Sequence, residues 1–374
     1  MIRKYEDKKY RNILNEYGYS IEEIENRLDD VYNTIFYGTD CERLYHECGN
    51  DMAYFVDTGN NDVRTEGMSY AMMMCVQRDM KQEFNKLWKW AKKYMWMESG
   101  INKGYFAWSV STDGVKNSDG PAPDGEEYFA LALFFASHRW GDGEGIFNYS
   151  KEAKDILHEC IHKGEDGEGK PMWNPENKLI KFVPNLEITD PSYHLPHFYE
   201  LFALWANEDD REFWREAANN SREYLKMACN HVTGLAPEYS YYNGEPYCKD
   251  NRQRYYSDSY RVIGNLALDY YWFEKEPWEC ECINKIQVFF NETVKGKDDL
   301  IYEIDGTIIN EKALHPIAII ATNAMGSIVN NGKYSKACIE KFWNTSLRTG
   351  TRRYYDNCLY IFALLALSGN YRVW

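Results

Sequence analysis

Four short runs in this 374-residue chain place a carboxylate within about one turn of an aromatic ring, where a helical pattern begins. They read Thr65-Glu66-Gly67-Met68-Ser69-Tyr70, Pro123-Asp124-Gly125-Glu126-Glu127-Tyr128, Thr189-Asp190-Pro191-Ser192-Tyr193 and Ser257-Asp258-Ser259-Tyr260-Arg261. A fifth start offers His315-Pro316. Carboxyl groups can do acid–base work when their environments hold them in different protonation states. The simpler reading of any one acid is a helix cap, since Asp, Ser and Thr cap helices and a carboxylate suits the positive end of the helix dipole. Asp190 fits that reading best, because Pro191 follows it and Pro is favoured at the first helical position. Glu66 fits it worst: Glu is a poor cap, and Gly67 is a weak helix former with no capping use. Asp258 is intermediate, because Ser257 could supply the cap.

Aromatics add a second line. The chain has 12 Trp, 31 Tyr and 17 Phe, and Trp108, Trp173, Tyr239, Tyr241 and Tyr242 fall in loops rather than on helical stripes. Sugar rings present flat C–H faces that stack on such side chains, while acids and amides take the hydroxyls. Trp108, beside Ser109 and the polar loop Ser111-Thr112-Asp113-Gly114, is the best candidate for stacking. The bland alternative is that these rings anchor the core and loops.

The elements that must hold these residues are helices. Apolar residues recur at helical spacing near 20–34, 66–79, 81–97, 124–139, 150–162, 191–206, 209–228, 257–272, 278–294, 314–326, 335–346 and 353–367. Those beginning near 66, 124, 191, 258, 314 and 353 are poor in charge, whereas segments such as 81–97 and 209–228 carry Lys, Arg and Glu on one face. A helix that is apolar nearly all round is buried, and one with a charged face lies outside. Six of each predict an all-α double ring, an (α/α)6 barrel, formed as a single domain over residues 1–374. Its inner helices would run parallel, so their N-terminal ends would converge on a substrate cleft. The spacing of the acidic starts drifts, unlike the fixed period of a solenoid. Ala53-Tyr54-Phe55-Val56 and Tyr105-Phe106-Ala107-Trp108 read as extended pieces too short and scattered for a main sheet.

Composition narrows the partners. A formal net charge of -15 gives no footprint for nucleic acid and repels anionic lipid, so a neutral substrate is the easiest to reconcile with it. No stretch approaches the roughly 18 apolar residues of a membrane span. The opening Met1–Tyr10 has no apolar run or small-residue cleavage site, which argues against a signal peptide. Of ten cysteines, Cys280 and Cys282 are separated by one residue, and there is no C-x-x-C pair, so no metal site and no cofactor is expected. Cys75, Cys160 and Cys358 lie in apolar periodic segments and read as reduced core thiols of a cytoplasmic protein. The chain is expected to be a monomer or a weak oligomer.

The run Arg64-Thr65-Glu66-Gly67-Met68-Ser69-Tyr70-Ala71-Met72-Met73 resembles the general-acid segment of glycoside hydrolase family 8. Pro123–Glu127 resembles the segment carrying that family's substrate-binding aspartate, and Ser257–Arg261 the segment carrying its catalytic base. The likeness spans residue 20 to the C-terminus. Asp190-Pro191-Ser192-Tyr193-His194-Leu195-Pro196 and Leu314-His315-Pro316 resemble the subgroup that releases xylose from the reducing end of xylo-oligosaccharides. The resemblance implies the (α/α)6 barrel and inversion at the anomeric carbon. Inversion needs one protonated and one ionised carboxyl, about 6.5–9.5 Å apart with a water between. It assigns Glu66 as the acid, in an apolar setting that raises its pKa, and Asp258 as the base, with Arg261 keeping it ionised or oriented. It further implies that Tyr193 helps hold the water, Asp124 binds sugar hydroxyls, Trp108 stacks on xylose and His315 closes the aglycone side of the cleft. Asp124 remains the runner-up for the base. The alternatives are an endo-acting β-1,4-xylanase or β-glucanase on the same fold, another α/α-barrel enzyme using His or Tyr chemistry, and a non-catalytic sugar-binding protein.

Overall fold

The computed structural model describes residues 9–165 and 167–374. Residues 1–8 of the opening stretch, on which the signal-peptide expectation rests, lie outside them. In chain order the elements are α1 (Ile13–Glu16), α2 (Ile21–Tyr32), β1 (Tyr45–Cys48), β2 (Met52–Asp57), β3 (Asp62–Arg64), α3 (Thr65–Gln77), α4 (Lys81–Trp90), β4 (Ser109–Ser111), α5 (Pro123–Trp140), α6 (Tyr149–His162), α7 (Pro196–Trp205), α8 (Arg211–Ala228), β5 (Arg254–Tyr255), α9 (Val262–Phe273), α10 (Trp278–Val288), β6 (Leu300–Glu303), β7 (Ile308–Lys312), α11 (Pro316–Met325), α12 (Ser335–Trp343) and α13 (Arg353–Leu367). Each of the twelve expected segments overlaps one of these helices, and the short α1 is additional. Among the described residues no helix is long and apolar enough to cross a membrane.

Two starts differ from expectation. The segment near 191 opens as a 3-10 turn, Pro191–Tyr193, and α7 begins only at Pro196, whose ring would clash with a preceding helical turn. The segment near 257 likewise opens as a 3-10 turn, Ser257–Arg261, in which Ser257 has a positive φ of 37°. The extended pieces also differ. Residues 53–56 lie in β2 of a four-stranded antiparallel sheet in the order β1-β2-β3-β4, and a second sheet joins β5, β6 and β7. Tyr105–Trp108 is not itself a strand; Phe106 makes one isolated bridge to Trp96, and β4 starts at Ser109.

The chain divides into two compact units. The first, Ile35–Glu187 with Phe198–Asn220 and Trp374, contains Glu66. Here α3 packs against α4 and α5, α5 packs against α6, and β2 covers α4. Met68, Tyr70, Ala71, Met72, Met73, Met74, Cys75 and Val76 on α3 are all buried, as an apolar surface on every side requires. In α4, by contrast, Phe84, Leu87, Trp88 and Trp90 are buried while Lys81 and Gln82 are exposed. Trp173 is fully buried against Tyr199 and Trp214, so it anchors the core rather than awaiting a ligand.

The second unit, Met1–Thr34 with Ile188–His197 and Ser221–Val373, contains Asp258. Its helices α9, α11 and α13 are buried nearly throughout, while α10 packs on α9, and α12 on α11. Arg222 of α8 pairs bidentately with Asp269 of α9, both contacts being 2.7 Å, which fixes the rotation of one helix against the other. All ten cysteines are free thiols, and Cys75, Cys160 and Cys358 are buried.

Candidate active site

The hairpin formed by β2 and β3 delivers the chain directly into α3, so Glu66 stands two residues beyond a sheet. The cap residue of α3 is Arg64, which makes no side-chain capping bond, and Glu66 is partly exposed in the first turn. The guanidinium of Arg64 is occupied elsewhere: its Nε lies 3.1 Å from Asp57 Oδ2 and 3.2 Å from Asp62 Oδ1. Ser109 Oγ donates to the other Asp62 oxygen at 2.6 Å, and β3 pairs with β4 so that Arg64 stands opposite Ser109. This register puts Trp108 beside the start of α3. The Thr65 N–H donates to the Trp108 carbonyl at 3.0 Å, and the Arg64 guanidinium lies 5.1 Å from the Trp108 ring centre. Trp108 is 36% exposed, an unusual amount for a tryptophan fixed so firmly at its backbone.

Asp124 joins the same cluster through a glycine. A Cβ on Gly125 would come within 2.3 Å of Thr65 Cβ, so only glycine lets the first turns of α3 and α5 meet this closely. Asp124 stands in the first turn of α5 behind the cap residue Ala122, which makes no side-chain cap bond, and it is 5% exposed. Two residues on, the buried Glu126 carboxyl accepts from the Phe106 N–H at 3.0 Å and so holds the segment that carries Trp108. Burial, with the Asp124 charge adding to it, pushes the Glu126 pKa well above the usual carboxyl range.

In the second unit Asp258 lies in the 3-10 turn that leads into α9. Ser257, which could have supplied the cap, is not the cap residue: that is Tyr256, and the bond across the turn runs from the Tyr256 N–H to Ser259 Oγ at 2.9 Å. Arg261, buried, reaches Asp258 Oδ1 with Nη2 at 3.3 Å and Asp190 Oδ2 at 3.9 Å. Its guanidinium also lies 5.5 Å from the Tyr193 ring centre and 6.0 Å from that of Tyr355. Asp190 is fully buried and caps its own turn, accepting from the Ser192 N–H at 2.7 Å, as its sequence context indicated. Burial, then the charge of Asp258, pushes its pKa well up. The Arg261 guanidinium thus stands nearer to Asp258 than to Asp190.

His315 enters this cluster through Tyr355. Its ring centre is 4.9 Å from the Tyr355 ring, and the Tyr355 hydroxyl donates to the Ser257 carbonyl at 3.1 Å. Its Nδ1 lies 3.2 Å from Asp356 Oδ2, a buried carboxylate that Arg348 also contacts. The histidine is thus satisfied by a carboxylate, not by the neighbouring backbone. Nδ1 carries the hydrogen, which leaves Nε2 to meet another group.

Sequence reasoning did not find Tyr355, Arg252 or Glu238. Buried Glu238 lies 2.9 Å from Arg252, yet burial and the charge of Asp258 push its pKa up to about 8. Tyr239, already singled out as a loop aromatic, stacks beneath Arg252 at 4.9 Å. Glu238 and Arg252 lie in the connection ahead of β5 and Tyr355 in the first turn of α13, and only folding brings the three to Asp258. The Glu238 shift has a testable consequence. The native chain holds this proton to about pH 8, whereas the unfolded chain releases it near its ordinary value of 4.5. The resulting stabilisation is complete below about 4.5 and is lost as pH rises to about 8. In urea titrations at pH 5, 7 and 9, Glu238→Gln should decline less with pH than the parent. Parallel declines would refute the assignment.

Residues 54–369 match the sequence profile of glycosyl hydrolases family 8. The reducing end xylose-releasing exo-oligoxylanase of Halalkalibacterium halodurans is 58% identical over 369 residues, which cover 98% of this chain and 95% of that protein. A solved structure from Paenibacillus barcinonensis, complexed with xylose, superposes with a TM-score of 0.96 at 53% identity, covering 99% of both chains. Endoglucanase 2 of Ruminiclostridium josui is more distant, at 27% identity over 322 residues that cover 83% of this chain and 65% of that protein. The all-α (α/α)6 fold class expected from the helical pattern is that of these relatives.

Proposed function

The chain belongs to glycosyl hydrolases family 8, and on that premise we propose that it releases xylose from the reducing end of β-1,4-xylo-oligosaccharides with inversion. The observation that carries this reading is local. Glu66 and Asp258 both stand at helix starts whose cap residue is another, Arg64 and Tyr256, and each has a neighbour suited to sugar chemistry. Beside Glu66 are buried Asp124 and the exposed ring of Trp108; beside Asp258 are Arg261 and Tyr193. The relatives named for the same reaction share more than half their residues with this chain, and their likeness to it extends over almost its whole length.

Glu66 protonates the glycosidic oxygen as the reducing-end xylose leaves. Asp258, its charge stabilised by Arg261, takes a proton from the water that attacks the anomeric carbon from the opposite face. Tyr193, packed beneath Arg261, helps hold that water. Asp124 binds sugar hydroxyls and Trp108 stacks on a xylose ring. His315, fixed through Nδ1 by Asp356, offers Nε2 to the reducing-end sugar and limits the aglycone side to one residue. The protein works in the cytoplasm as a monomer or weak oligomer, a location its ten free thiols support. The two units are built from alternating stretches of sequence, which supports reading residues 1–374 as one domain.

Time-resolved proton NMR tests the stereochemistry. Early in the hydrolysis of xylotriose the new reducing end of xylobiose should appear as the α-anomer; first appearance of the β-anomer would rule out inversion. The endo-acting alternative predicts ready attack on polymeric xylan or β-glucan, which this reading does not.

A further inference from the structure

Outside the residues assigned to the reaction, α6 places His158 and His162 one turn apart on the same face, with ring centres separated by 4.3 Å. Across from them stands Asp210, which ends the 3-10 turn Glu208–Asp210 just ahead of α8. His158 Nδ1 lies 3.0 Å from Asp210 Oδ2, and His162 Nε2 lies 2.7 Å from Asp210 Oδ1. Asp210 is 3% exposed, while the two histidines are open to solvent in part. The other nitrogen of His162 is also engaged: Nδ1 is 2.9 Å from Glu165 Oε1. Asn207 makes a long contact of 3.5 Å with Asp210 Oδ2.

A neutral imidazole carries one N–H and can satisfy one of two carboxylates. His162 faces two, so the ring meets one of them either with a second proton or across a bound cation. The arrangement is the one metal-bound histidines adopt: one nitrogen points to the ion, and the other donates to an outer carboxylate that fixes the ring. We propose that His158 Nδ1, His162 Nε2 and Asp210 bind a divalent transition-metal ion of the zinc type. The three ligand atoms all lie within 4.8 Å of one another. Bonds of about 2.0–2.2 Å and a tetrahedral arrangement then require shifts of about an ångström, with water as the fourth ligand. His158, the most exposed of the three, can make most of that movement. Two imidazoles with one carboxylate favour zinc, nickel or copper over magnesium or calcium.

The ion is structural. It ties the C-terminal turn of α6 to the entry of α8 across 48 residues of chain, and these elements carry none of the residues assigned to hydrolysis. The cysteine spacing pointed away from a metal site. The H-x3-H spacing at 158 and 162 was present, but its third ligand becomes visible only on folding.

The test uses the full chain stripped with chelator and titrated with CoCl2 and ZnCl2. The expected result is one ion per chain, a rise in Tm, and a cobalt spectrum without a thiolate charge-transfer band. His158→Ala, an exposed change, should weaken binding by roughly tenfold or more, and Glu165→Gln by about tenfold. A thiolate band, no Tm rise, or undiminished affinity in both His158→Ala and Asp210→Asn would overturn the proposal.

Discussion

Glu66→Gln should lower kcat on xylotriose by about a hundredfold to ten-thousandfold while leaving the circular dichroism spectrum and Tm close to those of the parent. The size follows from the assigned role, because without the acid xylose must leave as an alkoxide. Folding should survive, because the cap residue of α3 is Arg64 rather than Glu66, and the helix draws its stability from the buried stripe behind Met68. A substrate whose leaving group needs less protonation separates this role from a merely structural one. β-Xylobiosyl fluoride should be hydrolysed by the variant with a far smaller deficit than xylotriose shows. Equal deficits on both substrates would remove Glu66 from the role of acid.

Asp258→Asn should produce a loss of similar size with the opposite substrate pattern. A missing base impairs activation of water whichever group leaves, so the fluoride should give no relief. The variant keeps the shape of the side chain and removes its charge 3.3 Å from Arg261, and the partly exposed position tolerates that change. The neighbouring Asp190 is fully buried and caps its own turn, so it is not placed to substitute. Asp124→Asn is the necessary comparison. As a binder of sugar hydroxyls Asp124 should affect KM as well as kcat, and its loss should fall short of that of Asp258→Asn. If Asp124→Asn is the more damaging and Asp258→Asn keeps substantial turnover, the two roles must be exchanged.

The helices were readable because burial leaves a plain mark on them. α3 and α13 are apolar all round, α4 and α6 only on one side, and the alternation follows the sequence from end to end. The two sheets were not readable. Their strands are two to six residues long, and the pairing of Arg64 with Ser109 is set by contacts far apart in sequence. The 3-10 turns at Pro191 and Ser257 escaped because a helical stripe does not reveal where the first turn tightens. Of the site, Glu66 was legible because a Glu-Gly pair makes poor sense as a cap, and Asp190 because an acid before Pro191 makes good sense as one. The structure agrees on both. Trp108 was legible as an aromatic in a polar loop, although its anchoring by Glu126 through Phe106 was not. Glu238, Arg252 and Tyr355 carry no local signature; their relation to Asp258 exists only in three dimensions.

The central claim is that cleavage occurs one residue from the reducing end. Xylotriose carrying carbon-13 at C1 of its reducing-end residue, followed by NMR during the first few per cent of reaction, tests it directly. All of the released label should appear in free xylose, with unlabelled xylobiose as the co-product. Label appearing in xylobiose would place the cut at the other linkage and contradict reducing-end release.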